Sequence, residues 1–92
     1  MATYRAHIDV MLKPLVNDPQ GLAIADGLRN LGYDGVRSVR AGKRLEVTLE
    51  APNAPAAERA VREMCERLLA NPVIEDFAFE LAEAAEAAPA EA

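Results

Sequence analysis

Ninety-two residues make one domain with a small core, and a chain of that size buries only about 60 to 65% of the surface its unfolded form exposes, so association with further copies is the expected remedy. Ten basic residues against fifteen acidic ones leave a net charge of -5, with two Tyr and two Phe; that balance argues against nucleic acid and membrane as partners. A single cysteine excludes an internal disulfide, the amino terminus lacks a signal-peptide layout, and no apolar run nears the roughly 18 residues that span a bilayer, so the cytoplasm is the expected location.

The first element reads as a strand from about Tyr4 to Lys13. Tyr4, Ala6, Ile8, Val10 and Leu12 alternate with Arg5, His7, Asp9, Met11 and Lys13, so the even face is core. His7 falls on the charged face with no Cys, Ser or second His beside it, and is assigned no chemistry. Pro14 ends the strand. Asn17-Asp18-Pro19 then opens a helix, with Asp18 as cap and Pro19 at the first helical position. That helix runs to about Leu31, turns Ile24, Leu28 and Leu31 to one face, and stops at Gly32. Gly21 and Gly27 each cost about 1 kcal/mol relative to alanine there, which implies a close neighbour to the backbone.

Val39 to Leu49 reads as the organising strand, because Val39, Ala41, Leu45, Val47 and Leu49 share one face. Two forms fit. One long strand bent at Gly42 keeps the apolar residues in register and leaves only Lys43 out of pattern; a hairpin at Gly42-Lys43 turns Arg40 and Ser38 toward the core. The bent strand is the better fit. A second helix extends from about Pro55 to Ala70 with Ala57, Val61, Met64, Cys65 and Leu68 as its buried stripe, making Cys65 a small core residue. Asn71-Pro72 stops it. The last strand runs from about Val73 to Leu81, and the alanine- and glutamate-rich segment 82–92 is expected to be disordered.

The resulting class is α+β, a two-layer sandwich in the order β-α-β-α-β with two helices on one face of a small sheet, or β-α-β-β-α-β if the central strand splits. Residues 1–81 form the domain. No residue set has the spacing of a metal site, a phosphate loop or a nucleophile with its base, so no catalytic, cofactor-binding or metal residue is assigned. Exposed sheet edges invite pairing with another copy.

Five stretches resemble one family in order and spacing: Leu12-Lys-Pro, Asp18-Pro-Gln-Gly21, Leu31-Gly-Tyr33, Val39-Arg-Ala-Gly-Lys43 followed by Leu45 to Glu50, and Met64 to Glu80. Together they cover about residues 3 to 81. The chain resembles the PurS family, the small subunit of phosphoribosylformylglycinamidine synthase in purine synthesis. That resemblance implies a non-catalytic subunit that forms dimers or dimers of dimers and bridges a glutaminase subunit to a large synthetase subunit, to which ATP and magnesium belong. It marks Lys13, Asp18, Pro19, Gln20, Gly21, Gly42, Lys43, Asn71 and Pro72 as interface candidates. Several also have a local explanation: Asp18 and Pro19 cap a helix, Gly42 bends a strand, and Asn71 and Pro72 end a helix. Lys13 and Lys43 have none in the expected fold. The rival reading is a regulatory module of the ACT type, which pairs sheets across a dimer around a small-molecule pocket.

Overall fold

Clean alternation over eleven residues makes the first strand, β1 (Ala2–Leu12), and pairing on both sides makes it the middle of the sheet. A computed structural model describes residues 1–84 and carries α1 (Pro19–Asn30), β2 (Gly42–Ala51), α2 (Ala54–Met64), a single π-helical turn (Cys65–Leu69) and β3 (Glu75–Glu83). The order is the expected β-α-β-α-β. The sheet runs β2-β1-β3 with both pairings antiparallel, so Ile8 faces Leu45 on one side and Phe79 on the other. Tyr4, Ala6, Ile8 and Val10 are buried, and complete burial of a side chain such as Ile8 stabilises by about 1.5–3 kcal/mol.

The Val39–Leu49 stretch is therefore not the organising centre. Its regular part begins only at Gly42, and residues 36–41 are neither the first half of a bent strand nor the arm of a hairpin. The physical reason lies in β1, which offers its last partner at Met11, opposite Gly42. Beyond that point Ala41 gives its amide to a carboxylate instead of to a ladder.

Asn53 caps α2 by accepting from Ala56 N at 2.9 Å, and the helix lays Ala57, Val61 and Cys65 on the sheet. The buried stripe follows the predicted spacing as far as Cys65. There the π turn intervenes, with Ala70 N donating to Cys65 O at 3.0 Å. A wider turn needs one more residue to come round, so Leu69 packs on the core and Leu68 is left 82% exposed. Arg62 lies over the Phe79 ring, 5.2 Å from its centroid. One helix cannot cover three strands. Leu45, Val47 and Leu49 of β2 and Phe77, Phe79 and Leu81 of β3 remain half-buried beside the core.

The pattern places both helices on one face; α2 takes that position, whereas α1 is held at the sheet's end by its first turns. Only Gly21 and Ala25 of α1 are buried, and Leu22 and Leu31 stay 59% and 74% exposed. The protein is correspondingly long, 51 × 29 × 19 Å. β3 continues two residues past the predicted Leu81, and Ala84 N donates to Thr3 O at 2.8 Å. The expectation of disorder for the tail falls from residue 85 onward outside the described residues.

Candidate functional site

β1 ends where β2 and β3 begin, which gathers Leu12 and Lys13, Gly42 and Lys43, and Glu75 and Asp76 at one end of the sheet. The chain leaves this end at Pro14 and returns to it at Asp18 to start α1. Asp18 is 6% exposed and uses both carboxylate oxygens: Oδ1 accepts from Gly21 N at 3.0 Å and Oδ2 from Ala41 N at 2.8 Å. The first contact is the predicted helix cap. The second pins residues 36–41 to the start of α1. The Ala41 N–H, then the Gly21 N–H, hold the Asp18 carboxyl below its ordinary value against the opposing effect of burial, with Arg40 helping least.

Gly21 has the close neighbour that its place in a helix implies: a Cβ there would overlap the Val39 carbonyl and the Asp18 carboxylate. Gly27, by contrast, has open space around it. Gly42 likewise has no room for a side chain beside Met11 and the Val10 carbonyl, so its smallness serves close strand approach rather than a bend.

Arg40 ties the same loops from the other side. Its guanidinium donates to Lys13 O at 2.8 Å, Leu12 O at 3.2 Å and Val16 O at 3.4 Å, and its Nε lies 4.0 Å from Asp18 Oδ2. Sequence reasoning placed Arg40 on the polar side of a strand and missed this role. An arginine that closes carbonyls more than twenty residues away leaves no local signature. Arg29 braces the loop further along, donating to Val36 O and Arg37 O, each at 3.1 Å.

Two open cavities flank Asp18. One, about 240 Å³, is lined by Asn17, Arg29, Arg37, Ser38 and Arg40 among others. The second, about 270 Å³, is lined by Leu12, Gln20, Ala41, Gly42, Lys43 and Glu75. Of the predicted site residues, Asp18, Gln20, Gly21, Gly42 and Lys43 are thus brought together, with Pro19 in the first turn of α1. Lys13 stands beside them but has an intramolecular partner, Asp76, at 2.8 Å. Asn71 and Pro72 lie on a separate turn, in which Asn71 Oδ1 accepts from Val73 N at 3.1 Å and Asn71 O accepts from Ile74 N and Glu75 N. Because that turn takes up residues 72–74, β3 starts at Glu75 and Val73 is left exposed. Glu75 links the turn to the cluster, since its carboxylate accepts from Asn71 N at 2.7 Å.

Away from this end, His7 Nε2 and Arg5 Nε share Glu46 Oε2 at 3.1 and 3.2 Å on the polar face of the sheet, and Arg44 pairs with Asp9 at 3.2 Å. Burial pushes the Cys65 thiol up, which keeps it in the unreactive protonated form. Asp18, with both oxygens occupied by amides, is a brace and not a base. The described residues hold no group of three or more His, Cys, Asp or Glu placed to bind a metal ion.

The described residues define a small α+β protein whose loops are braced by a buried carboxylate and an arginine and whose apolar sheet margins are half-covered. Residues 5–83 match the model of the PurS family, described as phosphoribosylformylglycinamidine (FGAM) synthase. The chain belongs to that family. It is 51% identical over 79 residues to the FGAM synthase subunit PurS of a Synechocystis strain, covering 86% of this chain and 79% of that protein, and 44% identical over 80 residues to the Bacillus subtilis subunit, covering 87% and 94%. The crystal structure of Bacillus subtilis PurS superposes with a TM-score of 0.78 at 44% identity, over 87% of this chain and 99% of that one. A chain in the structure of PurLQS from Thermotoga maritima does so with a TM-score of 0.78 at 36% identity, over 91% and 100%.

Proposed function

We propose that this chain is the small, non-catalytic subunit of a phosphoribosylformylglycinamidine synthase in cytoplasmic purine biosynthesis, joining a glutaminase subunit to a synthetase subunit so that ammonia from glutamine is delivered rather than lost. The observation that carries the reading is the match, over 91% of this chain, to a chain of the Thermotoga maritima PurLQS structure. In this reading ATP and magnesium belong to the synthetase partner, and this chain binds neither. The braced loop end supports it, because a docking surface held in shape before binding loses less entropy on association. Family membership favours it over a regulatory module of the ACT type.

Self-association belongs to the same proposal. β2 and β3 are edge strands with half-buried apolar faces, and the exposed Leu22 and Ile24 of α1, with Leu31 at its cap, give a second copy further apolar area to cover. A dimer or a dimer of dimers would cover both.

The test is reconstitution of FGAM synthesis from the synthetase and glutaminase subunits, with and without this chain. With glutamine as nitrogen source the chain is required; with ammonium it is dispensable. Equal rates with and without the chain in both assays would overturn the assignment.

A further inference from the structure

Arginine is concentrated around one hollow of this acidic protein. Arg29, Arg37 and Arg40 all line the cavity of about 240 Å³ beside Asp18, together with Asn17 and Ser38. Asp18 is the one carboxylate among the described residues of that lining, and the Gly21 and Ala41 amides occupy both its oxygens. Asp26 pairs with Arg29 at 3.2 Å from outside the lining. The wall of the cavity is therefore positive. Elsewhere the signs balance: the neighbouring cavity sets Lys43 against Glu75 and Asp18, and a shallow hollow on α2 sets Arg59 and Arg62 against Glu63 and Glu66.

The donors are arranged before any ligand arrives. Arg29 engages Asp26 and the Val36 and Arg37 carbonyls, and Arg40 engages the Leu12, Lys13 and Val16 carbonyls. A guanidinium carries five N–H groups, so each of these two still has donors to offer. Arg37 has all of its own. Among the described residues neither its side chain nor those of Asn17 and Ser38 make a hydrogen bond or an ion pair. The loop that carries Arg37 and Ser38 is held by Arg29 and by the Ala41–Asp18 bond, so little ordering remains to be done on binding.

We propose that this cavity binds a phosphate group, with Arg37 and the Ser38 hydroxyl as its direct contacts and Arg29 and Arg40 as a fixed positive wall. The inference does not depend on the function proposed above. Its volume lies below the range of about 300–1,000 Å³ common for drug-sized ligands, which suits a group of a few atoms with any remainder outside. A carboxylate offers two oxygens in one plane and a single charge. A phosphate offers three or four oxygens in a tetrahedron and nearly two charges at neutral pH, which matches donors that come from α1 and from two loops.

The full chain is titrated with inorganic phosphate, ribose 5-phosphate and acetate at constant ionic strength, following the heat of binding and the melting temperature. Both phosphates are expected to bind saturably and to raise the melting temperature, and acetate to do neither. Arg37→Ala/Ser38→Ala removes the direct contacts and keeps the braces, because Arg29 bonds the main-chain carbonyl of residue 37. That variant should melt as the unmodified chain does without phosphate and bind phosphate at least about tenfold more weakly. Arg59→Ala, which removes the same charge from α2, should bind within about twofold of the unmodified chain.

Tighter binding of ribose 5-phosphate than of inorganic phosphate assigns the site to a phosphate monoester, and equal binding assigns it to the phosphate group alone; each supports the proposal. Absence of saturable phosphate binding overturns it. So does equal binding by the Arg37→Ala/Ser38→Ala variant, or acetate as effective as phosphate.

Discussion

The two helices begin alike and end up in opposite circumstances. α1 and α2, of 12 and 11 residues, each start with a side-chain cap, Asp18 or Asn53, and a proline in the first turn. α2 sorts its residues, with Ala57, Val61 and Cys65 inward and Glu58, Arg59, Arg62 and Glu63 outward, and it covers the sheet. α1 spreads Leu22, Ile24 and Leu28, with Leu31 at its cap, along a helix that buries only Gly21 and Ala25. A cap starts a helix; burial decides whether it holds the fold or waits for a partner.

The sharpest way to break this contrast is to cut into α2. Val61→Ala removes two methyl groups from a fully buried position and leaves a cavity over Ile8, so a loss of about 2 kcal/mol is expected in urea unfolding. A change below about 0.5 kcal/mol would mean that α2 is not the element that holds the core.

A smaller effect is expected at the root of α1. Asp18→Asn keeps an oxygen for only one of the Gly21 and Ala41 amides and sets an NH2 donor against the other, and the melting temperature should fall by several degrees at neutral pH. Folding lowers the carboxyl below its ordinary value of 3.8, so the stabilisation is complete above that value and is lost as pH falls through the lower, folded value. The gap between the two proteins should therefore be constant above about pH 5 and narrow progressively as pH falls below about 4. Melting curves across pH 3 to 7 check this, and a gap that persists at the acid end would sink it.

The least effect on monomer stability is expected along the rest of α1. Ile24→Ser with Leu31→Ser touches side chains 41% and 74% exposed, so unfolding of the isolated domain should shift by no more than about 0.5 kcal/mol. Sedimentation should nevertheless show weaker self-association. Unaltered assembly would remove α1 from the interface and sharpen the case for the sheet edges.

Much of this was legible in local sequence. The alternation of Tyr4 to Leu12, the cap at Asp18, the stop at Gly32, where φ is 105°, and the Ala57, Val61, Cys65 stripe each follow from the two to four residues around them. Of the candidate site, Asp18, Gln20, Gly21, Gly42 and Lys43 could be named from the family resemblance. That they share one end of the molecule could not, because Asp18 and Ala41 are joined across 23 positions by one hydrogen bond. Lys13 looked idle in sequence, since its partner Asp76 lies 63 positions away.

The sequence by itself determined the order of strands and helices and the apolar faces of β1 and of α2 as far as Cys65, since periodicity and turn chemistry are properties of neighbouring residues; the family came from the resemblance of its motifs. Tertiary structure alone decided that β1 and not the Val39–Leu49 stretch is central, that Leu69 and not Leu68 returns to the core, and that Arg40 braces a loop instead of facing solvent on a strand. Each of these turns on a competition for one partner. The Ala41 amide could join a ladder or a carboxylate, and the buried carboxylate of Asp18, which needed a second donor, took it.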